Sequence, residues 1–256
     1  MRADVDAVLL DVDDTVVDTR GGFAVGMAVV ARAYLSHLGD DGPGLALEQW
    51  VRDAGGYFAA FTRGELGFAE QRRLRVTAMH QALGGPVVDD GLFEEWDTAY
   101  DRAFRAAWRP LPGAGRLLDL LTAAGVPFGS VTNSVTSYQQ DKLDSTGLGR
   151  LRVLVGTDTL GLGKPDPRVF LHACELLGSD PARTVYVGDE PHVDAQAAQD
   201  AGLMGVWVDR WAEGLQPDRS RGGPPWTGPT VRSMDQLVQW LGLDPAADLG
   251  PRSAAR

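Results

Sequence analysis

Val5-Asp6-Ala7-Val8-Leu9-Leu10-Asp11-Val12-Asp13-Asp14-Thr15 is the stretch from which the rest of the chain can be read. The apolar run from Val5 to Leu10 has the length and composition of a buried strand. Asp11 and Asp13 follow it two residues apart. In extended backbone, side chains at i and i+2 point to the same side. Two carboxylates are therefore aimed together at the carboxyl end of a buried strand, where open α/β sheets bind ligands. Carboxylates this close repel, so the site needs a cationic group to keep both ionised.

The remainder of the chain supplies the setting. Between Phe23 and Ala107, helical patterns run over Phe23–Leu38, Leu45–Phe61, Glu65–Leu83 and Asp90–Ala107, with turn chemistry at 39–44, Arg63-Gly64 and Gly84-Gly85-Pro86 between them. From Trp108 to Gly113 the chain makes a proline-stiffened return. Helices and strands then alternate: Ala114–Ala124, Pro127–Val131, Ser134–Thr146, Leu151–Val155, Pro167–Leu177, Thr184–Val187, Val193–Ala201 and Met204–Val208. Alternation of this kind implies a doubly wound parallel sheet. Asp209 to Thr227 reads as a loop, and Ser233 as the N-cap of a last helix reaching Leu241. The expected division is an α/β core over residues 1–19 and 108–243, an inserted all-helical domain over 20–107, and a fraying tail over 244–256. An insertion beside a carboxylate cluster suggests a lid.

Composition narrows the function. A net charge of −11 over 256 residues disfavours nucleic acid and anionic membrane as partners. No apolar run nears the ~20 residues of a membrane span, and the first residues lack the apolar segment of a signal peptide. The one cysteine, Cys174, allows no internal disulfide, as expected of a cytoplasmic protein. Its place on a Phe170, Ala173, Cys174, Leu177 stripe reads as core.

Three further strand or loop ends carry polar residues. Ser130-Val131-Thr132-Asn133-Ser134 offers a hydroxyl and free N–H groups before a helix, an anion site. Gly161-Leu162-Gly163-Lys164-Pro165 allows close backbone approach and brings a point charge. Gly188-Asp189-Glu190-Pro191-His192-Val193-Asp194 adds carboxylates of the kind that hold a hard cation such as Mg²⁺.

Taken together, these segments resemble the haloacid dehalogenase (HAD) superfamily, in its phosphatase branch. The family's first motif, Asp-x-Asp-x-Thr, matches Asp11, Asp13 and Thr15. Its second matches Thr132, its third Lys164, and its fourth Gly188, Asp189 and Asp194. Asp14 stands where the family commonly has glycine. The resemblance implies a Rossmann-like core with a helical cap of the C1 type. It implies Asp11 as the nucleophile that forms an aspartyl-phosphate and Asp13 as general acid and base. Thr132, Asn133 and Lys164 would bind phosphate. Mg²⁺ would be bound by Asp11, Asp13 through its main-chain carbonyl, and Asp189, with Asp194 a ligand or an outer partner. The implied activity is a Mg²⁺-dependent phosphomonoester hydrolase acting on a small phosphorylated metabolite, as a monomer or homodimer. The alternatives are a 2-haloacid dehalogenase, a sugar-phosphate mutase or a non-catalytic phospholigand binder. Family dehalogenases lack an aspartate at the Asp13 position, which favours the phosphatase.

The residues around these motifs have plainer readings. His192 is taken as a loop histidine. Arg72, Arg73 and Arg75 lie on a helix with Leu74, Ala78 and Ala82 on its apolar side, so Arg72 and Arg73 are expected to point mostly outward. Tyr57, Phe58, Phe61 and Phe68 are expected to form the inserted domain's own core.

Overall fold

A computed structural model describes residues 2–210 and 225–246. Most of the expected 209–227 loop and of the 244–256 tail therefore lies outside the described residues. The chain forms two units. One comprises Met1–Val17 with Pro110–Arg256, the other Asp18–Arg109.

The first unit is built on six parallel strands: β1 (Ala7–Leu10), β2 (Phe128–Val131), β3 (Val153–Val155), β4 (Thr184–Gly188), β5 (Met204–Val208) and β6 (Thr230–Val231), in the order β3-β2-β1-β4-β5-β6. β1 is central and every one of its residues is buried. Its side chains alternate between the sheet's two faces. Val8 and Leu10 join an apolar cluster with Leu117 and Leu121 of one helix (Ala114–Ala123) and Leu237 of another (Met234–Trp240). Leu9 faces the other side, with Phe170 and Cys174 of the helix Pro167–Leu177. Each fully buried leucine of this kind contributes roughly 1.5–3 kcal/mol of burial. The helix Thr136–Ser145 follows β2, and Ser233 caps the last helix by accepting from Gln236 N at 3.2 Å.

This unit departs from the sequence reading at the short helix Thr157–Leu160, which was not expected, and at two further stretches. The helix expected over Val193–Ala201 is a wider π-type turn, Pro191–Gln196, followed by one α-helical turn, Ala197–Asp200. β6 is too short for a periodic pattern to reveal it.

The second unit is all helical: Thr19–Tyr34, Gly42–Arg52, Tyr57–Thr62, Phe68–Leu83 and Asp90–Ala106. The single helix expected over Leu45–Phe61 is broken. Asp53 adopts a left-handed conformation (φ 43°) that ends the Gly42–Arg52 helix, and its Oδ2 then accepts from Phe58 N at 2.8 Å. The core of this unit is an aromatic ladder at every fourth position. Trp96 stacks on Tyr100 at 5.1 Å, Tyr100 on Phe104 at 5.5 Å, and Phe104 meets Trp108 edge-on at 5.6 Å. Gly22 and Gly26 of Thr19–Tyr34 let the ladder approach closely, because a Cβ at either would lie 2.8 Å from Phe104 or Tyr100. Phe61 is buried and packs on Phe58 and Phe68.

The expectation for Arg72 fails. It is buried, pairs with Asp97 at 2.9 Å, and lies over the Phe68 and Tyr100 rings. A guanidinium paired with a carboxylate and placed over aromatic rings can be buried inside a helical unit, which helix periodicity does not reveal. Arg73 is the exposed member and pairs with Asp90. Among the described residues no helix is long and apolar enough to cross a membrane.

Candidate active site

Parallel strands bring the quoted motifs to one edge of the sheet. β1 ends at Asp11, β2 at Thr132 and β4 at Asp189, while Lys164 comes from the loop beyond β3. β1 and β4 flank the point where the strand order reverses, the crevice in which open α/β sheets place ligands.

Beyond Asp11 the chain turns tightly: Val16 N and Val17 N both donate to Val12 O at 3.0 Å, and Asp14 N donates to Val17 O at 2.8 Å. The turn needs a positive φ at Asp14 (56°). Glycine meets that demand most easily, and aspartate is one of the few other residues that tolerate it. The substitution noted from sequence is thus accommodated by the backbone.

Asp11 is buried, and both of its oxygens are engaged. Lys164 Nζ donates to Oδ1 at 2.7 Å, and Thr15 Oγ1 donates to Oδ2 at 3.4 Å. Burial pushes the Asp11 carboxyl up from its ordinary value of 3.8 to about 7; Lys164 opposes the rise, and Asp194 and Asp13 add to it. Burial alone would lower the Lys164 ammonium, but Asp11 and Asp194 hold it well above its ordinary range.

Lys164 is gripped from three sides. It donates to Asp194 Oδ1 at 2.7 Å and to Tyr186 Oη at 3.0 Å as well as to Asp11. Asp194 also accepts from Tyr186 Oη at 3.2 Å on Oδ1 and from Glu190 N at 2.9 Å on Oδ2. Gly188 is required beside it, since a Cβ there would lie 2.3 Å from Asp194 Cγ. With both oxygens occupied, Asp194 acts here as the anchor of Lys164.

The Asn133 side chain also serves Lys164. Its Oδ1 accepts from Lys164 N at 2.6 Å and its Nδ2 donates to Lys164 O at 2.9 Å, which leaves the Asn133 main chain as the part available to an anion. Asp13, half-exposed, is held from the helix Thr136–Ser145. Its Oδ2 accepts from Gln139 Nε2 at 2.6 Å and its Oδ1 pairs with Lys142. Gln139 Nε2 also donates to Thr132 Oγ1 at 2.7 Å. Sequence reading missed Gln139, Lys142 and Tyr186. The first two lie three apart on the helix that opens just past Thr132, and that spacing was the available signal. His192 sits half-buried on the π-type turn, without a role in this network.

One carboxylate oxygen from each of Asp11, Asp189 and Asp194 lies within 4.8 Å of the others. Three buried acids against one buried lysine leave excess negative charge, and an all-oxygen donor set suits a hard divalent cation. The residues present therefore fit a metal of that class.

A sequence model of the haloacid dehalogenase-like hydrolases matches residues 5–202. The N-acetylmuramic acid 6-phosphate phosphatase of Pseudomonas aeruginosa is 32% identical over 205 residues, covering 78% of this chain and 80% of that protein. The phosphoglycolate phosphatase of Escherichia coli (strain K12) is 28% identical over 213 residues, 79% of this chain and 81% of that protein. Among solved structures, the HAD-hydrolase YfnB from Bacillus subtilis bound to magnesium superposes with a TM-score of 0.73 at 21% identity, over 93% of this chain and 99% of that one.

Proposed function

The chain belongs to the haloacid dehalogenase-like hydrolases, and from that premise we propose that it is a phosphatase: a phosphomonoester hydrolase that works through Asp11 on a small phosphorylated metabolite. The observation that carries this reading is the pairing of a buried, lysine-anchored Asp11 with a second carboxylate, Asp13, that is differently held. Phosphatase is the named activity of both sequence relatives described above, each of which spans more than three quarters of the chain.

In the proposed reaction an Asp11 oxygen attacks phosphorus, the ester P–O bond breaks, and Asp13 gives its proton to the departing alkoxide. Water then attacks the aspartyl-phosphate, its proton passes to Asp13, and phosphate leaves. Lys164, Thr132 Oγ1 and the Asn133 N–H would bind the phosphoryl oxygens and stabilise the charge that builds on them. The cation is proposed to be Mg²⁺, held by Asp11, Asp189 and the Asp13 carbonyl, with Asp194 a ligand or an outer partner. It would supply charge neutralisation at the phosphoryl group. The helical unit is proposed to act as a cap that selects the substrate.

The test is phosphate release from a panel of sugar phosphates, phosphoglycolate and nucleotide monophosphates with Mg²⁺, for the wild type and Asp11→Asn. Release that is abolished in the variant supports the reading. No release from any ester refutes it, and halide release from a 2-haloacid would replace it with the dehalogenase.

A further inference from the structure

We propose that Gln139 and Lys142 form a clamp that positions the Asp13 carboxylate for proton transfer. The inference rests on the phosphatase reading and deepens it. Both residues lie on the helix Thr136–Ser145, three positions apart and therefore on one face. Both are buried. Each takes one oxygen of Asp13: Gln139 Nε2 donates to Oδ2 at 2.6 Å and Lys142 Nζ to Oδ1. A carboxylate held at both oxygens has its direction fixed.

The clamp also reaches the phosphate-binding hydroxyl. Gln139 Nε2 donates to Thr132 Oγ1 at 2.7 Å. Thr132 Oγ1 is thereby an acceptor towards the helix, so its own hydrogen is directed elsewhere, towards an acceptor such as a phosphoryl oxygen. One amide thus sets two groups that must act on the same substrate.

The arrangement has a cost that simple packing does not explain. Gln139 Oε1 is buried with no hydrogen-bond partner among the described residues. A buried ammonium and a half-satisfied amide are expensive in a core. Local rules are broken in this way chiefly at functional sites. Gln139 and Lys142 are positioning residues, because they act on the leaving group only through Asp13.

Proton transfer to the leaving oxygen matters for an alkoxide and hardly at all for dinitrophenolate. The experiment therefore compares two esters: the alkyl phosphate of the panel that the wild type cleaves fastest, and dinitrophenyl phosphate. With enzyme in excess and Mg²⁺ present, single-turnover release of alcohol or phenolate reads the first half-reaction alone. Gln139→Ala and Lys142→Met should slow alkyl-ester cleavage by ~100-fold or more, within the range a positioned acid supplies, and aryl-ester cleavage by no more than ~5-fold. Asp13→Asn should show the same selective loss. The ratio of the two rates in one preparation does not depend on the fraction folded, so partial misfolding cannot imitate the result. Equal slowing of both esters, or no slowing of either, overturns the clamp while leaving the phosphatase reading intact. A wild type inert towards both esters overturns the phosphatase reading and the clamp with it.

Discussion

Replacing Asp11 should make the metal-free protein more stable, and by an amount that grows with pH. Asp11 is buried beside Asp194 and Asp189 with Lys164 as its cationic partner, and burial raises its carboxyl from 3.8 to about 7. A folded-state value raised above the unfolded one stabilises fully below the unfolded value, and that contribution disappears as pH rises through the folded value. Near pH 5 the loss is about 2 kcal/mol, and near pH 8 it reaches about 4 kcal/mol. Asp11→Asn removes this term while keeping the shape. The amide oxygen still accepts from Lys164, and the amide nitrogen can donate to Thr15 Oγ1. In chelator, urea unfolding should therefore place the variant above the wild type. With a slope of roughly 3 kcal/mol per M, the midpoint gap should be about 1 M or more near pH 8 and about half that near pH 5. Mg²⁺ should narrow the gap by stabilising the wild type more than the variant. A variant no more stable than wild type at the higher pH, or a gap that shrinks as pH rises, would refute the claim that the site holds uncompensated negative charge.

Three further outcomes are expected. Gly188→Ala should push the Asp194 carboxylate off Lys164, because the new methyl would sit 2.3 Å from Asp194 Cγ; the expected losses are ~1–3 kcal/mol in urea unfolding and at least ~10-fold in turnover. Ser130→Ala removes a buried donor to Leu10 O at 2.7 Å that ties β2 to the strand bearing Asp11; it should cost about 1–3 kcal/mol, read from the urea midpoint. In the helical unit, burial lowers His80 below its ordinary 6.5, its Nδ1 lies 3.1 Å from Pro86 O, and its Nε2 has no hydrogen-bond partner among the described residues. A depressed folded value means stability present above 6.5 and lost as pH falls through the folded value, so thermal midpoints should drop between neutral pH and about pH 5 in the wild type and less in His80→Asn.

The α/β core was legible because its strands are short apolar runs punctuated by chemistry. Asp11, Thr132, Lys164 and Asp189 each stand at a strand or loop end, and parallel pairing gathers such ends on one edge. The helical insert was legible as helices but not as packing. The break at Asp53 depends on a left-handed residue that also caps the next helix, and the Gly55-Gly56 pair beyond it was the turn signal the sequence offered. Arg72 was misjudged for a related reason. Its place on the helix is polar by period, and its partners, Asp97 and the rings of Phe68 and Tyr100, come partly from another helix.

Thr136–Ser145 shows where sequence periodicity stops being informative and why. Its sequence, Thr-Ser-Tyr-Gln-Gln-Asp-Lys-Leu-Asp-Ser, has one aliphatic residue and would ordinarily be assigned to a solvated face. Yet Gln139 and Lys142 are among its buried residues together with Leu143. The partners that make their burial tolerable, Asp13 and Thr132, belong to different strand ends: Asp13 follows β1 and Thr132 follows β2. A polar side chain is buried at tolerable cost only where a partner reaches it, so the pairing must be known before the burial can be inferred. In this chain the motifs identify the acids, and the helix next to them determines how Asp13 is held.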